Sequence, residues 1–345
     1  MSIITRTSAA VEPQDWQQLL AGAFRRADEL LEYLEIPRDA LPVSQSAHHQ
    51  FPTLVPRPFA ELMEKGNLND PLLRQVLPLD VEMENMPGYV TDPLAEKHSN
   101  IQQGIIHKYH GRVLLLAASG CAVNCRYCFR RHFPYDNNRI SRQQWQETLQ
   151  YVAEDPSIEE VILSGGDPLM LKDQHLADLC QAIETIPHVT RLRIHSRLPV
   201  VIPQRITDAL CSLLQHSRLH TSLVLHCNHA NELTDMHRAL WQKLRLSGVT
   251  LLNQAVLLKG INNSLSVLSD LHKQLFEFGV LPYYLHLLDP VAGAAHFDLH
   301  KQEALQLHQQ MLETMPGYLV PRLVREEGGM KNKTPIIETT SQAEK

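Results

Sequence analysis

Six short runs of aliphatic and β-branched residues, separated by longer segments with helical periodicity, constrain the fold of this chain most strongly. The runs cover residues 113–117, 161–163, 192–194, 223–225, 250–256 and 282–287. Between the second and third runs, Leu176, Leu179 and Ile183 share one face of a predicted helix. Strands that alternate with helices predict a parallel sheet with right-handed crossovers. The pattern allows either an open doubly wound sheet or a full or partial (β/α) barrel.

Further helices are predicted between the other runs. Ser141 and Gln144 form a capping-box pattern ahead of an apolar face. The remaining predicted faces are Trp145, Leu149 and Val152, then Ile206, Leu210 and Leu213, and then Leu268, Leu271 and Leu275.

The composition is that of a soluble globular protein. Of 345 residues, 43% are hydrophobic and 20% are charged, which is enough to bury a core. The 38 acidic and 32 basic residues give a formal charge of −6, so we expect no direct binding of nucleic acid. We find neither an apolar run of about 18 residues nor a signal-peptide pattern, which predicts a cytoplasmic protein without a membrane segment.

Three regions can be distinguished along the chain. Residues 1–105 form a helical, Pro-rich N-terminal region with an amphipathic segment from about Trp16 to Leu34. Residues 106–300 contain the six runs, and residues 301–345 form a C-terminal segment. Proline at the density found between residues 52 and 93 interrupts regular elements, so we expect irregular connections there.

Polar residues follow the apolar runs at the positions where ligands bind in parallel α/β folds. In such folds, ligands lie at the carboxyl ends of the strands. The residues that follow successive runs include Cys121, then the segment 164–167, then His195 to Arg197, then His226 to His229, and finally His286 and Asp289. We therefore expect the chemistry at this edge of the sheet.

A cluster of three cysteines follows the first run. Cys121, Cys125 and Cys128 have the spacing C-x3-C-x2-C, and three thiolates this close can hold three irons of a [4Fe-4S] cluster while the fourth iron stays open. A zinc site completed by His132 is the alternative, but it would be closed to ligands. Cys180, Cys211 and Cys227 are scattered, and we expect them to pack as small apolar residues.

The cysteine spacing, with the aromatic Tyr127 before the last cysteine, resembles the signature of the radical S-adenosylmethionine (SAM) superfamily. The resemblance implies that SAM binds the open iron and is cleaved to a 5′-deoxyadenosyl radical. It also implies a partial (β/α)6 barrel, here with a helical N-terminal extension. The segment Ser164, Gly165, Gly166 and Asp167 resembles the glycine-rich stretch of that superfamily that approaches SAM, although two glycines after a strand are equally typical of a tight turn.

A narrower resemblance, to the lysine 2,3-aminomutase family, extends from Asn69 to Pro335. It rests on residues 107–116, 128–131, 164–169, 193–203, 226–232, 252–258 and 283–289. It implies an isomerase that converts L-α-lysine to β-lysine with pyridoxal phosphate and an external one-electron reductant. The second cofactor is chemically reasonable because a saturated ammonium cannot migrate, whereas an imine nitrogen has a π bond that a carbon radical can attack.

The resemblance also assigns roles to individual residues. Lys333, in a glycine-rich segment that ends in Lys-x-Pro, would hold pyridoxal phosphate, with Lys331 as the competitor. The other assignments are Arg130 for the substrate carboxylate, Asp289 and Glu326 for the distant ammonium of lysine, His226 for SAM, and Lys108 and Arg112 for the cofactor phosphate. Glu326 stands where the family carries aspartate, so substrate recognition could differ.

The short C-terminal segment gives two further expectations. The sequence ends 12 residues after Lys333 without a cysteine-bearing tail, so we predict no structural zinc. A short enzyme with this cysteine loop is similar to the bacterial aminomutases that make (R)-β-lysine for elongation factor P, which a ligase related to lysyl-tRNA synthetase attaches. A homo-oligomer is a separate expectation.

Three other functions stay open at this point. Glutamate 2,3-aminomutase shares the cofactors, although Asp289 and Glu326 argue against it. A radical SAM enzyme that modifies a protein or RNA, and a non-catalytic iron–sulfur module, are the other two.

Overall fold

The central feature of the fold is one ten-stranded sheet in which the strands follow their order in the chain. A computed structural model describes residues 15–96, 100–102, 104–133 and 142–337. The strands are β1 (Asn100–Gln102), β2 (Ile105–Tyr109), β3 (Arg112–Ala118), β4 (Glu160–Gly165), β5 (Arg191–Ser196), β6 (His220–Leu225), β7 (Thr250–Val256), β8 (Leu281–His286), β9 (Arg322–Arg325) and β10 (Thr334–Pro335).

All neighbouring strands from β3 to β9 pair in parallel, while β1, β2 and β10 pair antiparallel at the two edges. The six predicted runs correspond to β3 to β8. Within the described ranges, β1 and β10 do not pair with each other, so the sheet is open. The prediction of a partial (β/α) barrel is confirmed, and β9 extends the parallel part by one strand that the aliphatic runs did not indicate.

Eleven α-helices connect or cover the strands in the described residues. They are α1 (Trp16–Ala21), α2 (Ala27–Tyr33), α3 (Gln45–Gln50), α4 (Arg57–Ala60), α5 (Arg142–Glu154), α6 (Asp173–Glu184), α7 (Leu198–Val201), α8 (Asp208–His216), α9 (Asp235–Leu246), α10 (Leu265–Glu277) and α11 (Lys301–Thr314). Short 3-10 helices cover Leu73–Gln75, Asp80–Met83, Pro168–Met170, Pro203–Arg205, Ala230–Glu232, Ala295–Phe297 and Gly317–Leu319. The predicted capping box at Ser141 lies outside the described residues.

The crossover helices bury the apolar faces that the sequence predicts. Leu176 and Ile183 of α6 and Leu268 of α10 are fully buried against the sheet. Cys180, Cys211 and Cys227 are buried free thiols in the same core, as expected. The outer face of the sheet therefore carries most of the apolar packing, which leaves the inner face available for polar groups.

The N-terminal region is built from short helices joined by irregular segments. The amphipathic segment predicted near Trp16 to Leu34 forms two helices, because Phe24 pairs with Val55 between them through backbone bonds of 2.8 and 3.0 Å. A buried ion pair fixes this region to the barrel, since Arg126 Nη2 lies 2.6 Å from Glu82 Oε2. The sheet itself crosses the predicted divisions at residues 105 and 300, and those divisions stay predictions.

Candidate active site

One cavity of about 990 Å³ occupies the inner face of the sheet. The cavity is lined by all the residues to which the family resemblance assigns roles, except for the competing Lys331: Lys108, Arg112, Cys121, Cys125, Cys128, Arg130, Ser164, Gly165, Gly166, Asp167, His226, Asp289, Glu326 and Lys333. The cavity extends from the carboxyl ends of the strands along the inner face of the sheet. Alternate residues of a strand point to the same face, and Glu160, Arg193 and Ser222 therefore line the cavity near the starts of their strands.

The cysteine loop directly follows β3 and is fixed by the N-terminal region. The backbone N–H of Asn124 donates to the Leu54 carbonyl at 3.1 Å, and that of Arg126 donates to the Gln75 carbonyl at 2.8 Å. Asn228 donates to the Tyr127 hydroxyl at 2.6 Å. These bonds hold the loop on both sides of Cys125, so the three thiols have defined positions.

The three thiols are partly exposed and line the cavity, and desolvation raises the pKa of each, to about 11 for Cys128. Among the described residues, no three His, Cys, Asp or Glu side chains converge on one point that could hold a single metal ion. A [4Fe-4S] cluster does not need such convergence because each thiolate binds a different iron. His132, the fourth ligand of the zinc alternative, has its Nε2 at 3.0 Å from the Ala292 carbonyl.

The glycine-rich segment packs closely against the cysteine loop. A Cβ on Gly166 would lie 2.3 Å from the Gly120 oxygen, and Gly165 has φ of +118° with the Ala118 oxygen 2.6 Å from a Cβ. The Asp167 carboxylate accepts bonds from the backbone N–H groups of Leu169, Arg197 and Leu198 and from the Ser196 hydroxyl, at 2.7 to 3.0 Å. These residues therefore join two strand ends, a structural role that the motif did not reveal.

Arg130 is held by groups of the protein itself. Its Nε and Nη2 each donate to Glu96 at 2.8 Å, and its Nη1 donates to Ser164 Oγ and to the Gly165 carbonyl at 3.2 Å. Glu96 is buried and lines the cavity. No sequence motif indicates Glu96, because its partner Arg130 lies 34 residues away along the chain.

Charged side chains continue from Glu96 across the cavity. Lys108 Nζ lies 3.5 Å from Glu96 and 3.2 Å from Glu326, and Lys333 Nζ lies 2.6 Å from Glu326. Although burial acts in the opposite direction, Lys333 and Lys108 hold the pKa of Glu326 well below its usual range. The structure thus brings together Lys333, predicted for pyridoxal phosphate, Lys108, predicted for the cofactor phosphate group, and Glu326, predicted for the substrate ammonium. The guanidinium of Arg112 stacks on the Tyr109 ring, 4.7 Å from the ring centre.

Asp289 follows β8 and is partly buried, with its Oδ1 atom shielded from solvent. Its Oδ1 has no hydrogen-bond partner among the described residues. Burial and then the nearby Glu326 carboxylate raise the pKa of Asp289 to about 7. A carboxylate oxygen that is buried without a partner is stabilised by a ligand that brings a positive charge.

Three histidines line the cavity at or near the ends of β5, β6 and β8. Burial lowers the pKa of His195, His226 and His286, so all three are neutral at pH 7. His226 Nε2 is 2.8 Å from Gln254 Nε2, whereas the Nε2 atoms of His195 and His286 have no partner in the described part of the chain. The sequence analysis assigns no individual role to His195, His286 or Gln254, although polar residues at alternate positions of aliphatic strands are a signal that identifies them.

Known proteins are similar to this chain over nearly its whole length. An L-lysine 2,3-aminomutase from Haemophilus influenzae is 50% identical over 98% of this chain and 100% of its own. An L-lysine 2,3-aminomutase from Escherichia coli is 52% identical over 94% of each chain. The chain belongs to the lysine 2,3-aminomutase family.

Two further similarities concern parts of this family member. The model of a 4Fe-4S single cluster domain matches residues 109–191, which contain all three loop cysteines and the glycine-rich segment. The solved structure of a radical SAM methyltransferase from Sphaerobacter thermophilus is 14% identical with a TM-score of 0.44, and the match covers 64% of this chain and 68% of that one. No helix among the described residues is long and apolar enough to span a membrane.

The family implies a [4Fe-4S] cluster, SAM and pyridoxal phosphate, and the cavity fits these groups. Three thiols on one fixed loop suit the cluster. Six residues that line the cavity carry a buried polar atom without a partner among the described residues, and such atoms suit polar ligands: Asp289 Oδ1, His195 Nε2, His286 Nε2, Gln254 Oε1, Arg193 Nε and Arg197 Nε. Lys333 lines the cavity, whereas Lys331 is exposed and does not, which favours Lys333 as the residue for pyridoxal phosphate.

Proposed function

We propose that this chain converts L-α-lysine to (R)-β-lysine by moving the amino group from C2 to C3. The observation that supports this most directly is the charge pattern of the cavity. It holds a guanidinium, Arg130, that suits an α-carboxylate, and two acids, Asp289 and Glu326, that suit the distant ammonium of lysine. The cysteine loop and Lys333 line the same cavity, so both cofactors would meet one substrate.

The cofactors supply the chemistry that side chains cannot provide. When bound, the cluster with SAM supplies a radical that abstracts hydrogen, and pyridoxal phosphate supplies the carbonyl group that carries the migrating nitrogen. In this proposal Cys121, Cys125 and Cys128 hold the cluster, and Lys333 holds pyridoxal phosphate between turnovers.

The remaining residues bind and orient the ligands. Lys108 and Arg112 are the proposed partners of the cofactor phosphate, and His226 and residues 164–167 those of SAM. The walls of the cavity would exclude water, which protects a carbon radical from side reactions and keeps the reacting atoms in place.

The two acids also support lysine over glutamate as the substrate. The side-chain carboxylate of glutamate would face Asp289 and Glu326, and like charges in a buried site repel strongly. A glutamate enzyme would need a cation at this position. This makes glutamate 2,3-aminomutase the weaker alternative, and the experiment below tests it.

The metabolic role is a further part of the proposal. The cysteine-loop sequence of residues 125–135 supports an enzyme that supplies β-lysine for elongation factor P and its lysyl-tRNA-synthetase-like ligase. Cluster assembly on free thiols fits the reducing cytoplasm, where an external one-electron donor is available. We also propose that the enzyme forms a homo-oligomer.

An anaerobic assay tests the activity. The purified protein is reconstituted with iron and sulfide, then mixed with pyridoxal phosphate, SAM, dithionite and isotopically labelled L-lysine, and the products are followed by mass spectrometry and NMR. We expect β-lysine of the (R) configuration. Cys125→Ala and Lys333→Ala should abolish it, while Cys180→Ala in the core and Lys331→Ala on the surface should retain it.

The outcomes separate the alternatives. SAM cleavage without β-lysine would reject free lysine, and the same assay with labelled glutamate or with unmodified and lysylated elongation factor P would then identify the substrate. Loss of activity in Lys331→Ala with full activity in Lys333→Ala would reverse the assignment of the cofactor lysine. A cluster that never reacts with SAM would leave a binding module.

A further inference from the structure

Arg197 contacts the cysteine loop directly. Its Nη1 donates to the Sγ of Cys125 at 3.2 Å, and its side chain is 6% exposed. Arg197 follows β5, so it reaches Cys125 from the neighbouring strand end rather than from the loop itself. Because an arginine side chain stays protonated in proteins, this guanidinium is a permanent positive charge beside the sulfur.

The position of this guanidinium is fixed on several sides. Its Nη2 donates to Gln75 Oε1 at 2.8 Å and lies 3.5 Å from Glu232 Oε2. The rings of Phe59 and Tyr127 lie 5.6 and 5.5 Å from its central carbon. The backbone N–H of Arg197 donates to the Asp167 carboxylate at 2.8 Å, which sets the turn that carries the side chain. Such restraint indicates a defined role for the contact with Cys125.

We propose that Arg197 sets the reduction potential of the cluster by stabilising its reduced form, and that Glu232 opposes this effect. Reduction adds one electron from the external donor, so the cluster becomes more negative while its bonds to the cysteines remain. A positive charge and an N–H···S bond at one thiolate favour the more negative state. Glu232 is fully buried, so its charge is little screened. The proposal rests on the cluster site proposed above.

Removal of each charge should therefore shift the midpoint potential in opposite directions. Arg197→Met keeps much of the side-chain volume and should make the potential more negative. Arg197→Lys keeps the charge and should give a smaller shift. Glu232→Gln removes the negative charge but keeps one side-chain oxygen, which can still accept from the backbone N–H of Asn228; in the unaltered protein this N–H lies 3.1 Å from Glu232 Oε1. This variant should make the potential more positive.

The measurement is an anaerobic redox titration of the reconstituted, full-length protein without SAM, in which the EPR signal of the reduced cluster reports the midpoint. Iron and sulfide content and thermal unfolding are determined for each variant. Arg193→Met is the control, because Arg193 lines the same cavity and pairs with Glu160 at 2.6 Å rather than with a cysteine. We expect its shift to be smaller than that of Arg197→Met.

Opposite shifts for Arg197→Met and Glu232→Gln support the proposal. Unchanged potentials in both, or shifts of the same sign, would overturn it. If Arg197→Met cannot hold a cluster, Glu232→Gln alone decides by the sign of its shift. Failure of the unaltered protein to bind iron and sulfide would instead reject the cluster site itself, and with it the proposed function.

Discussion

Lys333 Nζ lies 2.6 Å from Glu326 Oε2, and the two residues belong to the same short hairpin. Strand β9 ends one residue before Glu326, and β10 begins one residue after Lys333. The pairing of Arg325 with Thr334 brings the two side chains together at the cavity wall. Lys333, the predicted cofactor lysine, thus forms an ion pair with Glu326, the acid that we propose for the substrate ammonium. This ion pair must break before the substrate ammonium can bind to Glu326.

Glu326 should matter for lysine binding more than its neighbour Glu327. Loss of a hydrogen bond between charged groups costs about 1.5–3 kcal/mol, so Glu326→Ala should raise KM for lysine by roughly tenfold or more. Glu326→Asp keeps the charge and should retain most of the affinity. Glu327 is exposed and does not line the cavity, so steady-state kinetics of Glu327→Ala serve as the control. Equal effects in both alanine variants would argue against a specific role.

Asp289 should make lysine binding depend on pH. With a pKa of about 7 in the free protein, its carboxyl is mostly protonated at pH 6 and mostly ionised at pH 8. Because the ionised form attracts an ammonium, the affinity for lysine should increase as the pH rises through 7. Binding measured by calorimetry at both pH values should show this increase, and Asp289→Asn should bind lysine weakly with a flatter dependence.

The same acid should reduce the stability of the ligand-free protein at high pH. The pKa is raised from about 3.9 in the unfolded chain, so the folded state holds more protons than the unfolded state between pH 4 and 7, and stability falls over that range as pH rises. Asp289→Asn should therefore gain stability relative to the unaltered protein at pH 8, on the order of 2 kcal/mol, and much less at pH 5. Urea unfolding at the two pH values tests this, and an equal difference at both would contradict it.

Gly166 and Gly120 form a matched pair for a test of close packing. Gly166→Ala would place a Cβ 2.3 Å from the Gly120 oxygen, a backbone clash that should cost about 3 kcal/mol or more. A Cβ on Gly120 meets nothing within 4 Å, so Gly120→Ala should change stability by less than about 0.5 kcal/mol. Thermal unfolding and iron content of both variants measure the effect. Similar stability and iron content in the two variants would mean that the close contact between Gly166 and Gly120 does not restrict the residue type at position 166.

Asp167 should contribute strongly to stability. Asp167→Ala leaves the buried N–H groups of Leu169 and Arg197 without their acceptor, which should cost about 3 kcal/mol or more. Asp178 on α6 is exposed, so Asp178→Ala should change stability by less than about 0.5 kcal/mol. Chemical denaturation compares the two, and a small effect in Asp167→Ala would favour a ligand role alone.

The parallel strands could be predicted because their signal is local. A run such as residues 113–117 is apolar since most of its side chains are buried, with Val113, Leu115 and Ala117 in the main core, and the local pattern of apolar residues reflects that burial. Strands β9 and β10 are too short for such a signal. The break between α1 and α2 depends on the pairing of Phe24 with Val55, a contact between distant residues that local periodicity cannot contain.

The site divides in the same way. Cys121, Cys125, Cys128 and Lys333 lie in motifs with fixed spacing, so sequence alone identified them as candidates. The role of Glu96 depends on its ion pairs with Arg130 and Lys108, which lie in other parts of the chain. The Arg197 contact with Cys125 likewise joins two strand ends, and the interior positions of His195 and His286 follow from strand register. Such relations are properties of the folded chain.

The position of Lys333 after the last parallel strand has a consequence for the growing polypeptide. The ribosome releases the cysteine loop, which follows the first parallel strand, long before it releases the final hairpin. A nascent barrel would therefore contain its three thiols while it still lacked the residue proposed to retain pyridoxal phosphate. Synthesis of the hairpin is then the step that adds the amine of Lys333 to a barrel whose cysteine loop is already complete.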